Sequence, residues 1–292
     1  MEKPLVVITY IDDQVAFVEG PVNIGIINSD QGTVLIDTGI DNSIMNKVIK
    51  QIGRKPIAAL VTHHHADHMG GISKLNSLGI SHIFTPPREI PFFMDTFLEP
   101  LIFCGFHPPK ELTNRHLMAK PAKTIHPISE QPFSSIKAIS TPGHSIDHFA
   151  FLVGKTLFSG DSVFKEETIE KHKLLFASNP NEATESIIKI SKLDIDHLAL
   201  GHGGAITGKK EIKDACKINI EHYQTVAQSI LRQIPEQGGE IHEIVGWIYE
   251  ALKLKKEKIT QYILYRHTIL GHISNLITKG KLEFDGARAV PT

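Results

Sequence analysis

The stretch His63-His64-His65-Ala66-Asp67-His68 puts four imidazoles and a carboxylate into six positions. Imidazole and carboxylate suit Zn2+, Mn2+ or Fe2+, and the absence of a nearby thiolate argues against a closed structural zinc site. Alternate residues leaving a strand point the same way, so His63 and His65 can converge on one point while His64 faces away. The turn that follows can aim Asp67 and His68 at a second point a few ångströms off. Four ligands cannot fill two ions. Three more candidates each stand in a glycine-rich turn after a strand: His144 in Thr-Pro-Gly-His, Asp161 in Ser-Gly-Asp and His202 in Gly-His-Gly. The chain has 17 histidines. Those outside these motifs, His82, His126 and His197 among them, read as solvated or hydrogen-bonded side chains.

The elements needed to position these residues are legible in outline. Pro4 to Ile11 and Val15 to Glu19 read as strands, and Ile24–Ile27 with Thr33–Ile36 as a hairpin around the turn cluster at 28–32. Asn42 can cap a helix reaching about Ile52. Pro56 to Thr62 is wholly apolar apart from its ends, consistent with a strand covered on both faces, and it delivers the histidine cluster. A helix starting near Gly70-Gly71 and running to about Leu78 precedes a strand at 82–85. Strands follow at 136–140, 149–153, 156–159 and 195–200. A helix opens at Asn179-Pro180, with proline at its first position, and runs to about Lys192. This alternation predicts an α/β domain over residues 1–208. Residues 86–127, rich in proline and phenylalanine, read as a helical or loop insertion.

With 292 residues, 41% of them apolar and 22% charged, the chain can bury a core and is neither disordered nor fibrous. Its 31 basic and 32 acidic residues give no reason to expect a bulk polyanion or membrane-surface binder. No apolar run approaches the ~20 residues of a membrane span, and the first residues lack a signal-peptide layout, so cytoplasm is the expected compartment. Cys104 and Cys216 are too few for a disulfide framework.

His63-x-His65-x-Asp67-His68, followed in order by His144, Asp161 and His202, resembles the metallo-β-lactamase superfamily. Asp37 in Ile-Asp-Thr-Gly resembles that family's first motif, an aspartate that supports the metal-binding loop. The resemblance covers about residues 5–208. It implies an αββα sandwich of two mixed sheets, with helices outside and two divalent metal ions at one rim: zinc in the first instance, manganese or iron as alternatives. Carried over, His63, His65 and His144 would hold one metal, Asp67, His68 and His202 the other, and Asp161 would bridge. The family's chemistry is hydrolysis by a water whose pKa the metals bring from about 15.7 to near neutral, here with Asp67 orienting it. Asp161 stands where one antibiotic-hydrolysing branch has a cysteine, and His65 where flavodiiron reductases have glutamate. Thr141 to His148 looks most like glyoxalase II-type thioesterases, although the basic glutathione-binding residues of true glyoxalase II are not matched.

From Lys209 the pattern turns helical and ends in a hairpin, Lys281–Phe284 and Ala287–Val290, around Asp285-Gly286. Residues 209–292 therefore resemble the winged-helix domain of the lactamase-like protein 2 branch, which includes a ribonuclease and acyl-thioester hydrolases. Residues 211–292 carry 11 basic and 10 acidic side chains, and the group Lys253, Lys255, Lys256 and Lys258 reads as a solvated loop, so this segment more plainly packs against the site or forms a homodimer. Phe92, Phe93, Phe97 and Phe106 either pack or line an apolar entrance for an acyl chain. The leading reading is a binuclear metal-dependent hydrolase acting on a small acyl substrate, a thioester or related ester or lactone. The alternative is a metal-dependent ribonuclease or phosphodiesterase whose winged helix grips nucleic acid.

Overall fold

The computed structural model describes residues 6–292 apart from residue 256. Seven strands form the first sheet in sequence order: β1 (Ile8–Tyr10), β2 (Val15–Val18), β3 (Ile24–Ser29), β4 (Gly32–Ile36), β5 (Ala58–Leu60), β6 (Ile83–Thr85) and β7 (His126–Pro127). β1 to β4 are an antiparallel meander, and β4 to β7 are parallel. The second sheet comprises β8 (Ile136–Ser140), β9 (Phe149–Val153), β10 (Thr156–Gly160), β11 (His197–Leu200) and β12 (Ala205–Thr207), in the order β12-β11-β10-β9-β8. The first expected strand is shorter than Pro4–Ile11, and its opening residues Pro4 and Leu5 lie outside the described residues.

Period-2 alternation sorts the side chains into layers. Val15, Phe17, Ile27, Val34 and Ile36 meet Phe151, Val153, Phe158 and Ala199 in a core between the sheets. Gly25 lies in that interface, where an added Cβ would sit 2.5 Å from the Phe158 ring. The alternate residues Ala16, Val18, Ile24, Ile26 and Leu35 face outward onto Met45 and Val48 of α1 (Asn42–Ile52), where Asp41 rather than the expected Asn42 is the cap. That side also receives Ile72 and Leu75 of α3 (Ile72–Ser77), the helix expected to open near Gly70-Gly71, and a short helix the sequence did not suggest, α2 (Ala66–Met69), precedes it. The 86–127 segment contains α4 (Ile90–Met94) and α5 (Leu98–Cys104). On the far side of the sandwich, Leu157, Leu198 and Leu200 pack beneath α6 (Glu166–His172), α7 (Pro180–Ser191) and α8 (Lys209–Gln233). Each residue's face is set by its parity, and the result is an αββα sandwich.

α8 continues past the sandwich. Its Val226 and Ile230 share a separate core with α9 (Ile241–Ala251) and α10 (Ile259–Thr278). The expected hairpin is present as β14 (Leu282–Asp285) and β15 (Arg288–Pro291), joined by a strand the sequence did not suggest, β13 (Gly239–Glu240), in the order β13-β15-β14. Ile263 of α10 packs with Phe103, Leu112 and Leu117, so the C-terminal helices lean on the 86–127 segment. Among the described residues no helix is long and apolar enough to cross a membrane.

Candidate metal centre

All seven singled-out side chains meet at one rim of the sandwich, where β5, β8, β10 and β11 end. β5 stops at Leu60, and the following residues reach α2, carrying His63 and His65 as the chain enters the helix and Asp67 and His68 within it. Three donor groups result: His63, His65 and His144; His63, His68 and Asp161; Asp67, His68 and His202. Within each, one donor atom per residue lies within 4.8 Å of the others.

The first group's spacing is compatible with a bound cation. His65 Nδ1 lies 3.0 Å from His63 Nε2 and 3.0 Å from His144 Nε2. Zinc–nitrogen bonds of about 2.0–2.1 Å in a tetrahedral shell place nitrogens roughly 3.3 Å apart, so this spacing fits. The other ring nitrogens of His63 and His144 are engaged. His144 Nδ1 donates to the Phe176 carbonyl at 3.1 Å, leaving Nε2 as a lone pair, and His63 Nδ1 pairs with Thr62 Oγ1 at 2.9 Å. Burial holds His63, His65 and His144 below the usual imidazole range, and neighbouring histidines add to this at His63 and His65; at His144 Asp161 opposes it. The rings are therefore neutral, which is the ligating form.

The second group is organised by Asp37, at the end of β4 with φ +60°. Its carboxylate accepts from Thr62 N at 2.8 Å, from Thr62 Oγ1 at 3.0 and 3.1 Å, and from His68 Nδ1 at 2.8 Å. That fixes the His68 tautomer and turns its Nε2 toward Asp161 Oδ1, 3.4 Å away. Both of those atoms are buried and, among the described residues, without a hydrogen-bond partner. Unpaired buried polar atoms are costly unless something satisfies them, and a cation between them would. Burial lowers the affinity of His68 for a proton, but Asp161 and Asp37 outweigh it and raise the pKa well above the usual value. Burial likewise opposes the charged form of His202, yet Asp161 brings it to about 9. Asp161 itself is held well below the carboxylate range by His202 and His68 against its own burial. Its Oδ2 lies 3.5 Å from His144 Nε2 and 3.3 Å from His202 Nε2, between the two groups. Asp67 Oδ2 is 3.7 Å from His202 Nε2. Gly201 is required beside Asp161, because a Cβ there would meet Asp161 Oδ1 at 2.0 Å.

Several supporting residues were not picked out from the sequence. His148 is buried; its Nε2 accepts from Asp161 N at 3.1 Å and its Nδ1 pairs with Thr141 Oγ1 at 2.8 Å, so it anchors the Asp161 turn. It stands in the Thr141–His148 motif, so a signal existed. Asn23 holds the His202 loop through Leu200 O at 2.8 Å and Gly204 O at 2.9 Å, and His202 Nδ1 donates to Pro21 O. His64 does face away, with Nδ1 2.9 Å from Glu89 Oε2 and its ring stacked on Phe92. Burial alone would raise the Glu89 pKa; the His64 ring and hydrogen bonds from His64, Ser145 and Asp147 bring it below its ordinary value. Nothing near Glu89 in sequence advertises these long-range partners.

The phenylalanines divide differently from the expected set. Phe93 is fully buried against the first sheet's helix layer and lines no entrance. Phe97 packs on His107, and Phe106 is exposed. The aromatic wall beside the histidines is instead Phe176, whose ring centroid is 5.3 Å from both His65 and His144, backed by Phe103 and by His267 of α10.

Residues 17–202 match the model of one protein family, described as "Metallo-beta-lactamase superfamily". Among curated relatives, a hydroxyacylglutathione hydrolase of Francisella philomiragia is 27% identical over 169 residues, 57% of this chain and 57% of that protein. The chain thus spans a little over half the length of that relative. A beta-lactamase-like protein 2 homolog of Drosophila melanogaster is 25% identical over 274 residues, 89% of this chain and 83% of its own. A crystal structure of a metallo-beta-lactamase family protein from Thermus thermophilus superposes with a TM-score of 0.72 at 16% identity, covering 99% of this chain and 98% of that one. That similarity shows a shared fold extending into the C-terminal segment.

Proposed function

Since the chain belongs to the metallo-beta-lactamase superfamily, we propose that it is a binuclear metal-dependent hydrolase of a thioester or a related ester or lactone. The observation that carries this is the convergence of neutral imidazole nitrogens on one point, beside an Asp161–His68 pair whose facing atoms have no hydrogen-bond partner among the described residues. His63, His65 and His144 would hold one cation, Asp67, His68 and His202 a second, with Asp161 shared. Two such cations, zinc first, would supply an activated water and polarise the scissile carbonyl.

The chain's own residues account for the rest. Asp37 holds the His68 proton on Nδ1, which leaves the Nε2 lone pair free to ligate a cation. Asp67 is half-buried at the start of α2, where its carboxylate can accept a hydrogen bond from the attacking water and orient it. Phe176 and Phe103 exclude water from the side of His65 and present an apolar wall to an acyl group. A hydroxyacylglutathione hydrolase among the relatives favours the thioester within this class.

The test is to incubate purified protein with a panel of acyl thioesters and lactones and, separately, with single-stranded RNA, each with and without chelator. Thioester or lactone turnover abolished by chelator and restored by zinc is expected. Cleavage of RNA alone would overturn the acyl reading.

A further inference from the structure

Resting on that binuclear reading, we propose that Glu89 is a positioning residue: it fixes the distance between the loop carrying His63 and His65 and the loop carrying His144, and so sets the cation affinity of the three-histidine group. The two loops come from different sheets and are joined by no shared strand. Glu89 sits at the end of a short 3-10 turn, Pro87–Glu89, that follows β6, and its side chain is wholly buried. Its two oxygens divide their work by loop. Oε2 accepts from His64 N at 2.7 Å and from His64 Nδ1 at 2.9 Å, both belonging to the residue between His63 and His65. Oε1 accepts from Asp147 N at 2.9 Å and from Ser145 Oγ, the latter adjacent to His144.

A carboxylate has about four acceptor sites, and here all four are used, two per loop. The arrangement is a bridge rather than a filled hole. His63 and His65 point into the site, so His64 must point out of it, and Glu89 receives both the backbone N–H and the ring of that intervening residue. The neighbouring Arg88 adds to the second loop alone, through its backbone N to Asp147 Oδ2 at 2.9 Å and its guanidinium to Ile146 O at 3.2 Å. The group of Asp67, His68 and His202 has its own anchors: Asp37 and Thr38 on His68, and Asn23 and Pro21 around His202.

This division makes glutamine a discriminating substitution. Glu89→Gln keeps the volume but offers one acceptor oxygen and one NH2. If the oxygen faces His64, the NH2 opposes Asp147 N–H; if it faces Asp147, the NH2 opposes His64 N–H. One loop is released either way. Aspartate retracts the carboxylate by one methylene and cannot reach both.

The experiment is a competition titration of the full chain with a chromogenic zinc chelator, giving two stepwise dissociation constants, run well below the melting temperature of each metal-free variant. In Glu89→Gln one step should weaken about 10- to 100-fold, the usual effect of removing an outer contact to a ligand, with the other step unchanged. Asn23→Ala should weaken the complementary step. Ser145→Ala, which unties a single donor, should weaken the Glu89 step about three- to tenfold, the worth of one hydrogen bond, and it serves if Glu89→Gln does not fold. Unchanged constants in Glu89→Gln and Ser145→Ala, or an equal weakening of both steps, would overturn the proposal while leaving the hydrolase reading intact. A wild-type chain that binds no zinc would instead sink that reading.

Discussion

Lowering the pH from 7 to 5 should weaken the fold through His272, a residue of α10 that belongs to no part of the candidate metal centre. It is 2% exposed, and its Nε2 has no hydrogen-bond partner among the described residues. Burial, with smaller contributions from His222 and Lys279, depresses its pKa from 6.5 to about 3. Because the folded value is the lower one, the unfolded chain takes up the proton first as pH falls. The stability is whole above about 6.5 and is lost progressively toward 3. From pH 7 to pH 5 that loss is about 2 kcal/mol for one histidine. His272→Leu removes the titration and the orphaned nitrogen together, so it should gain about 1 kcal/mol at pH 7 and escape the loss of about 2 kcal/mol. Urea denaturation of both proteins at the two pH values measures the double difference. His222, pushed by burial to about 4, and the histidines of the rim titrate in both proteins and cancel. If wild type and His272→Leu lose the same stability between pH 7 and pH 5, His272 is solvated and the burial argument fails.

Asp37→Asn retains the left-handed backbone, which asparagine tolerates, but its one oxygen cannot serve both Thr62 N and His68 Nδ1, so its NH2 opposes one of these two N–H groups. Zinc retained after dialysis, read by elemental analysis, should reflect an affinity about 10- to 100-fold lower, and unchanged retention would refute the tautomer assignment. Phe93→Ala should cost about 3–5 kcal/mol of stability with no selective rise in the KM for long acyl chains; a chain-length-dependent KM would return Phe93 to the entrance. Gly143 has φ +126°, and a Cβ there would lie 2.0 Å from Ala183 N. Gly143→Ala should therefore push the His144 turn off α7, lowering Tm by several degrees and abolishing turnover, whereas normal activity would show that the turn can give.

Legibility from sequence tracked locality. His63 to His68 could be read as a ligand cluster because strand alternation and one turn decide where those side chains go. His144, Asp161 and His202 each stand in a glycine turn after a strand, so type and setting marked them, and the order of all seven carried the resemblance. The helix opening at Pro180 was equally plain, since Asn179 and Pro180 specify a start by themselves. What was missed depends on distant partners. Glu89 lies in a proline-rich segment, and nothing there points to Ser145, 56 positions later. β7, β12 and β13 are only two or three residues long, and strands that short are made by the edge they join rather than by their own pattern. Phe93 and Phe103 share a composition yet face a core and an aromatic wall respectively, a distinction that tertiary packing alone draws.

The donors of the rim come from both halves of the sandwich: four follow β5 of the first sheet, and three follow β8, β10 and β11 of the second. Neither half owns a complete set. A nascent polypeptide that has emerged only as far as the first sheet displays a histidine-rich loop with nothing to complete it, and competence arrives when the second half docks. Under the proposed function, turnover would be a late event of biogenesis, and fragments cut between the two halves should be inert apart and regain activity only on reassociation.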